Sequence, residues 1–529
     1  MPAADNFLLL LSDAVDRTVV NPTASYCWLN LMTHTRSVTD RALLDQVIAA
    51  VQERLPEDGL GGYYRALFLD LVSGDFRHLG RAATILTTLA PRDHDRLMAF
   101  FYFASQRALL YSNDRSSFLR HLHTMGLPAL APLIAHPVVT DDRPMRPAGP
   151  LRRVALVAPE LLSSSHPPTR MLLDQAGVLI QNGIAVSLFA CQESMGPDVP
   201  HLLGQGADNP LREAKLDEWL VSAPATTTLA ITPPRCSLLR RWRDMLPRIE
   251  ATQPDLVLFV GLHSGLIAHL YQHYPVLGLA TNSMAPLAPT DVWLTAQPEL
   301  HGVEGDYWQT GQLASEAYYH PFRAQRRSCG AAVARSTLAI PADAILMISI
   351  GSMLSVQING PWARRIGAML DAHPQLHWLL LGGAGEPPPA LASFAPGRVH
   401  CLAYSDKAME LMAMSDIYVN PPMMGGGLSV SEAMSLGLPV LSLANCDGGD
   451  KLGPAAAADH AHYFALLERW VVDPAARASA GAAMGQHFAQ HIDLAASGPS
   501  LLGACQLAQQ RYLRRRAGVP RAVKAPGSS

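Results

Sequence analysis

The sequence predicts an α/β protein in which two Rossmann-like, doubly wound domains face each other across a cleft, with an all-helical domain before them. Three observations carry this expectation. Residues 1–140 show amphipathic helical stripes with no β pattern among them. Two later stretches each alternate apolar strand runs with helices, and the proline-rich, charged segment 141–150 separates them from the first part. The expected boundaries are 1–140 for the helical accessory domain, 151–325 for the acceptor-side domain and 335–515 for the donor-side domain with its C-terminal helices. A chain of 529 residues exceeds a single core, and about three domains suit that length.

In the first region, Thr39-Asp40 precede Leu43, Leu44, Val47, Ile48, Val51 and Leu55, an i, i+4 stripe closed by Pro56. That is a capped amphipathic helix. YYRALFLDLV, GRAATILTTL, DRLMAFFYFASQRALL and SSFLRHLHTM follow as further helices with turns between them, and no tetratricopeptide consensus is kept.

The next domain opens with the strand Arg153–Ala158, a loop containing Ser163-Ser164-Ser165-His166-Pro167-Pro168, the helix MLLDQAGVLIQNG and the strand Ala185–Phe189, a βαβ unit. The arginine-rich helix SLLRRWRDMLPRIEATQ then feeds a strand at Asp255–Val260, and its arginines are expected to form a solvated face. Short strands follow at Val276–Leu279 and Asp291–Leu294. Residues 321–342 are the expected crossover. The last domain alternates the same way, from the strand Ala344–Ile350 through the helix PWARRIGAMLDAHP and the strand Leu376–Leu381 to Val399 and KAMELMAMS.

Its most informative stretch is DIYVNPPMMGGGLSVSEAMSLGLPVLSL. Ile417, Tyr418 and Val419 have strand composition, and Asn420-Pro421-Pro422 ends the run. Gly425, Gly426 and Gly427 bring backbone amides close to a ligand; Leu428 and Ser429 lead into a helix through Met434, expected to open at Ser429. Amides plus the positive helix end at a strand's carboxyl end make an anion site suited to a diphosphate. Glu432 has two readings: an acceptor for a ribose diol, or the acid of a capping box Ser429-Val430-Ser431-Glu432.

Val399 to Gly453 resembles the donor half of the GT-B nucleotide-sugar glycosyltransferases, whose pattern is a strand, a glycine turn and a helix carrying an acid before a G-x-P step, here Gly437-Leu438-Pro439. VALVAPELLSSSHPPTRM, from Val154, resembles the first strand and His-Pro loop of the O-linked N-acetylglucosamine transferases, and the segment from Ile348 their donor-domain opening. DIYVNPPMMGGGLSVSEAM also resembles the bacterial N-glucosyltransferases that modify adhesins, which carry a helical domain before the GT-B core. There are departures. Gln357 stands near the place of the family's phosphate-binding lysine, the loop Thr281–Ala285 lacks a histidine, and Met424 stands where the first of a retaining enzyme's two glutamates would be.

The resemblance implies a metal-independent transfer of a hexose, glucose or N-acetylglucosamine, from a UDP-sugar to a protein side chain. UDP-sugar is then a co-substrate and no cofactor is called for. Alternatives are a GT-B transferase for a lipid-linked or small saccharide acceptor, and a catalytically inactive GT-B protein that binds a nucleotide or a protein. His166, in the first loop of the acceptor-side domain, is the first candidate for proton transfer or phosphate contact, against a role in capping the next helix. His263, after another strand end, is the second. Asp447 and Lys451 follow the strand Val440–Leu443; the lysine either supplies the missing phosphate charge or pairs with Asp447 in solvent. The helical domain is expected to present the acceptor, with donor chemistry needing only the two α/β domains.

Composition bounds the partners. Charged residues make up 16% of the chain and the formal net charge is −3, so no global field draws nucleic acid. Seven cysteines show no C-x-x-C pair and read as reduced thiols, which points to the cytoplasm. The apolar run at Phe7–Leu11 is too short for a signal or spanning segment, and no D-x-D pair suggests a metal.

Overall fold

The structure, a computed structural model, describes residues 9–10, 12–13, 40–89, 93–134, 149–162, 166–193, 219–220, 223–233, 236–281, 284–305, 315–382, 386–391, 394 and 397–517. Linker residues 141–148, the serines 163–165, residues 282–283 and the basic tail from 518 therefore lie outside the described residues.

Between residues 40 and 134 the described residues of the first domain form α1 (Arg41–Arg54), α2 (Gly59–Ser73), α3 (Arg77–Thr88), α4 (His94–Leu110), α5 (Arg115–Thr124) and α6 (Leu127–Ile134). Asp40 caps α1 by accepting from the N–H groups of Ala42 and Leu43 at 2.9 and 3.3 Å, and the predicted stripe buries Val47 and Val51.

The second domain runs β1 (Arg153–Ala158), α7 (Pro167–Gln181), β2 (Ala185–Ala190), β3 (Thr228–Ile231), α8 (Leu238–Ala251), β4 (Leu256–Val260), α9 (Gly265–His273), β5 (Val276–Leu279), β6 (Val292–Thr295), β7 (Glu304–Gly305) and β8 (Ser315–Tyr319). Its sheet has the order β3-β2-β1-β4-β5-β6-β8-β7, parallel apart from the β7–β8 pair. The third domain contains β9 (Ile345–Ile350), α10 (Leu354–Gln357), α11 (Gly360–Ala372), β10 (Leu376–Leu381), β11 (Val399–Leu402), α12 (Ala408–Ala413), β12 (Ile417–Val419), α13 (Gly427–Ser435), β13 (Val440–Leu441), α14 (Gly449–Leu452), α15 (His460–Val472), α16 (Pro474–His487) and α17 (Gly498–Arg516). Its sheet is parallel, in the order β11-β10-β9-β12-β13. In each order the first strand of the domain sits inside the sheet, so the order reverses there and leaves a crevice at the strands' carboxyl ends.

Three departures from expectation have physical causes. The helical domain is no separate accessory: Val47, Phe100, Phe101 and Ile134 share one core cluster with Ala155, Val157, Phe189, Val257 and Phe259, the alternate residues on one face of the first sheet. Helix α17, grouped with the donor domain by sequence, packs Leu501, Cys505 and Ala508 against Val154, Leu156 and Leu258 on the other face of that sheet. Tyr512 fixes it there by donating to the His273 carbonyl at 2.8 Å. Nor do all the α8 arginines face water. Arg241 is 1% exposed, donates to the Cys191 and Gln192 carbonyls at 2.9 and 2.5 Å, and meets Asp95 of the helical domain at 3.3 Å.

No helix among the described residues is long and apolar enough to cross a membrane.

Candidate functional site

The glycine loop lies between β12 and α13, at the carboxyl end of its strand. Gly426 has φ +80°, and a Cβ there would come within 2.6 Å of Asn420 Oδ1 and Met423 Cε, so only glycine fits. The helix begins at Gly427, two residues earlier than the sequence suggested, with Gly426 as its N-cap. Ser429 Oγ donates back to the Gly426 carbonyl at 3.0 Å and accepts from Tyr418 Oη at 2.8 Å. Leu428 is half-buried beside it.

Asp447 and Lys451 are not a solvated pair. Their side chains are 6% and 4% exposed, and Lys451 Nζ donates to Asp447 Oδ1 at 2.9 Å. Asp447 Oδ2 accepts from the Gly427 N–H at 3.2 Å. The physical reason is the helix end itself: an N-terminus with open amides draws the nearest carboxylate, and a buried carboxylate retains a counterion. The first sheet repeats the device. At the start of α9, Glu193 accepts from the Gly265 and Leu266 N–H groups at 3.2 and 3.4 Å, from Ser264 Oγ at 2.9 Å and from Trp242 Nε1 at 2.8 Å.

Glu432 does not serve as the acid of a capping box. It forms no hydrogen bond with the first turn of α13 among the described residues; instead its Oε1 accepts from Arg170 Nη2 at 2.6 Å. Arg170 belongs to α7 of the other α/β domain, so the bond crosses the cleft, and Arg327 Nε stands 3.9 Å from the same oxygen. Asp174, one turn beyond Arg170, completes an alternating group of charges, and burial raises its carboxyl above the usual range.

His166 is the N-cap residue of α7, one helical turn before Arg170, so it lies beside this seam. It does not cap the helix with its side chain. Its Nδ1 lies 3.1 Å from Thr169 Oγ1, which also accepts from the Leu162 N–H. Burial pushes the imidazole down to about 4, leaving it neutral at neutral pH. His263 does not stand in open cleft. It is 3% exposed, its ring lies 4.8 Å from that of Phe101 on α4, and neither ring nitrogen has a partner among the described residues. Burial pushes His263 down to about 3.

These two rings predict how stability responds to acid. A histidine with a depressed folded value is neutral in the fold and protonates more readily in the unfolded chain, so its contribution is complete above its ordinary value near 6.5. It is lost as pH falls from there toward about 4 for His166 and about 3 for His263. Melting temperatures should drop across that window, and His263→Met should flatten the drop. An unchanged slope in the variant would show that His263 is not held neutral by burial.

Gln357 is the last residue of α10. It lines a hollow of about 370 Å³ with Asn113 of the helical domain, Asn359, Trp362, Arg365, Pro422, His460 and Phe464. Gly425 keeps open space around its α-carbon. Met424, in place of a glutamate, is fully buried in the core cluster shared by the helical domain and the first sheet. Among the described residues no group of three or more His, Cys, Asp or Glu side chains is placed to hold a metal ion.

Sequence reasoning missed Arg170, Arg327 and Glu160. The first sits one turn after a histidine already singled out, a spacing that places both on one side of α7. Glu160, two residues past β1, is buried under the helical domain, accepts from Tyr102 Oη at 3.1 Å, and burial pushes it up to about 7.

No protein-family profile and no curated protein sequence matches the chain. Among solved structures it is similar to a Thermobaculum terrenum O-GlcNAc transferase mutant, at 12% identity and a TM-score of 0.56, over 97% of this chain and 99% of that one. A glycosyltransferase from Rickettsia africae gives 9% identity and a TM-score of 0.44, over 70% of this chain and 100% of that one. Anabaena HepE in complex with UDP-glucose gives 12% and 0.42, over 69% and 99%. The first likeness extends over nearly the whole chain, and the chain has the GT-B fold, two Rossmann-like domains facing each other behind an N-terminal helical region.

Proposed function

We propose that the chain is a glycosyltransferase that moves a hexose, glucose or N-acetylglucosamine, from a UDP-sugar to a protein side chain. One observation carries the reading: the seam between the two sheets brings together His166, at the start of α7, and Glu432, past the first turn of α13, through Arg170, each helix following a strand's carboxyl end. A donor with its ribose at Glu432 and its diphosphate toward the start of α13 places the anomeric carbon toward α7. The acceptor nucleophile attacks that carbon, the bond to the diphosphate oxygen breaks, and UDP leaves with the electron pair. With Nδ1–H donated to Thr169 Oγ1, His166 Nε2 holds the lone pair that receives the acceptor's proton. The neighbouring diphosphate favours the resulting imidazolium, offsetting the burial that keeps the ring neutral in its absence.

A second reading, a nucleotide- or protein-binding member of the fold without catalysis, is favoured by Asp447 standing on the Gly427 amide and by Gln357 in place of a lysine.

Calorimetry with UDP separates the roles of Glu432. Glu432→Ala should weaken UDP binding by about 1–3 kcal/mol, the effect of losing hydrogen bonds to a charged acceptor. Added chelator should leave binding unchanged. Unaltered UDP affinity in a folded variant would confine Glu432 to its bond with Arg170.

A further inference from the structure

We propose that the diphosphate subsite at the start of α13 is a carboxylate-exchange site, in which Asp447 holds the phosphate's place and the helical domain's turn at Asn113–Arg115 holds Asp447 there. The inference rests on the donor reading of the glycine loop.

The chemistry of the place is that of a phosphate site already filled. Asp447 presents one oxygen to a helix-start amide, Gly427 N at 3.2 Å, and the other to an ammonium, Lys451 Nζ at 2.9 Å. A phosphate takes the same two partners. It cannot join Asp447 there. A Cβ on Gly427 would already lie 2.7 Å from Asp447 Oδ2 and 2.8 Å from Lys451 Nζ, so the carboxylate and the ammonium crowd that side of Gly427, and two anions on one amide repel. Donor entry therefore requires Asp447 to leave and Lys451 to turn to the phosphate. The lysine that the family places near Gln357 is thus replaced by one that the chain keeps paired until the donor arrives.

What holds Asp447 comes from another domain. The Arg115 N–H donates to the Asn445 carbonyl at 2.9 Å, Asn445 Nδ2 donates to Asp114 Oδ2 at 3.2 Å, and Cys446 Sγ donates to the Asn113 carbonyl at 3.1 Å. The Arg115 guanidinium also pairs with Asp450, the second residue of α14. Four contacts from a single turn thus pin both sides of Asp447. Movement of that turn, as when a protein engages the helical domain, would loosen residues 445–450 and open the subsite.

The test is calorimetric titration of the full chain with UDP. Asp447→Asn should bind UDP about tenfold more tightly than the unaltered chain, the effect of removing one like charge beside the phosphates. Arg115→Gln, which acts from outside the site, should bind about threefold more tightly. Combining Asp447→Asn with Lys451→Met should abolish the gain. Arg115→Gln decides the matter should Asp447→Asn fail to fold. If the unaltered chain binds UDP and both single variants bind no more tightly, the exchange is wrong and the donor reading stands. Absence of UDP binding in every folded variant overturns both.

Discussion

His166→Ala is expected to lower sugar transfer by about a hundredfold or more, the scale of losing a positioned proton acceptor, while UDP binding changes far less. The separation follows from the layout. His166 starts α7 in one α/β domain, and the glycine loop and Glu432 belong to the start and middle of α13 in the other. The ring makes no capping bond to the helix backbone, and its removal loses only the contact with Thr169 Oγ1 at the helix start. Turnover and UDP affinity measured on the same preparation check the split. Near-normal turnover at saturating donor and acceptor would remove His166 from the mechanism. His263 could not take over without rearrangement, because Phe101 covers its ring.

Removal of residues 1–148 is expected to abolish folding of the remainder rather than merely acceptor use. The sequence suggested that donor chemistry needs only the two α/β domains, but the helical domain shares one core cluster with the first sheet and with α8 and α9. Without it Val157, Phe189, Phe259, Trp242, Leu266 and Leu270 lose part of their cover, full burial of each being worth about 1.5–3 kcal/mol. At full burial that sum reaches about 9–18 kcal/mol, as large as the net stability of a domain, about 5–15 kcal/mol. The ties of Asp95 to Leu238 N and Arg241 go as well. Soluble, cooperatively melting truncated protein would show that the shared core is not needed.

The two sheets were legible because their inner strands are buried on both faces and read as unbroken apolar runs, as Leu256–Val260 does. β3 and β8 escaped notice for the opposite reason: Thr228–Ile231 is a half-exposed edge, and Ser315–Tyr319 mixes polar with aromatic residues. Periodicity in residues 40–134 showed amphipathic helices but not what covers them, which is why the domain looked detachable. At the site, the glycine loop could be read from local chemistry alone. Arg170 could not, since its partner Glu432 lies 262 residues away in the chain. Nor could the burial of Lys451 and Asp447, which depends on a turn contributed by the helical domain.

The central claim, hexose transfer from a UDP-sugar to protein, is tested most directly by intact-mass spectrometry of candidate acceptor proteins produced with and without this chain. The account predicts acceptors heavier by a whole number of hexose or N-acetylhexosamine units only where the chain is present, with the gain lost in His166→Ala. Acceptors of unchanged mass in both cultures, from cells that supply both UDP-sugars and contain the folded chain, would contradict it.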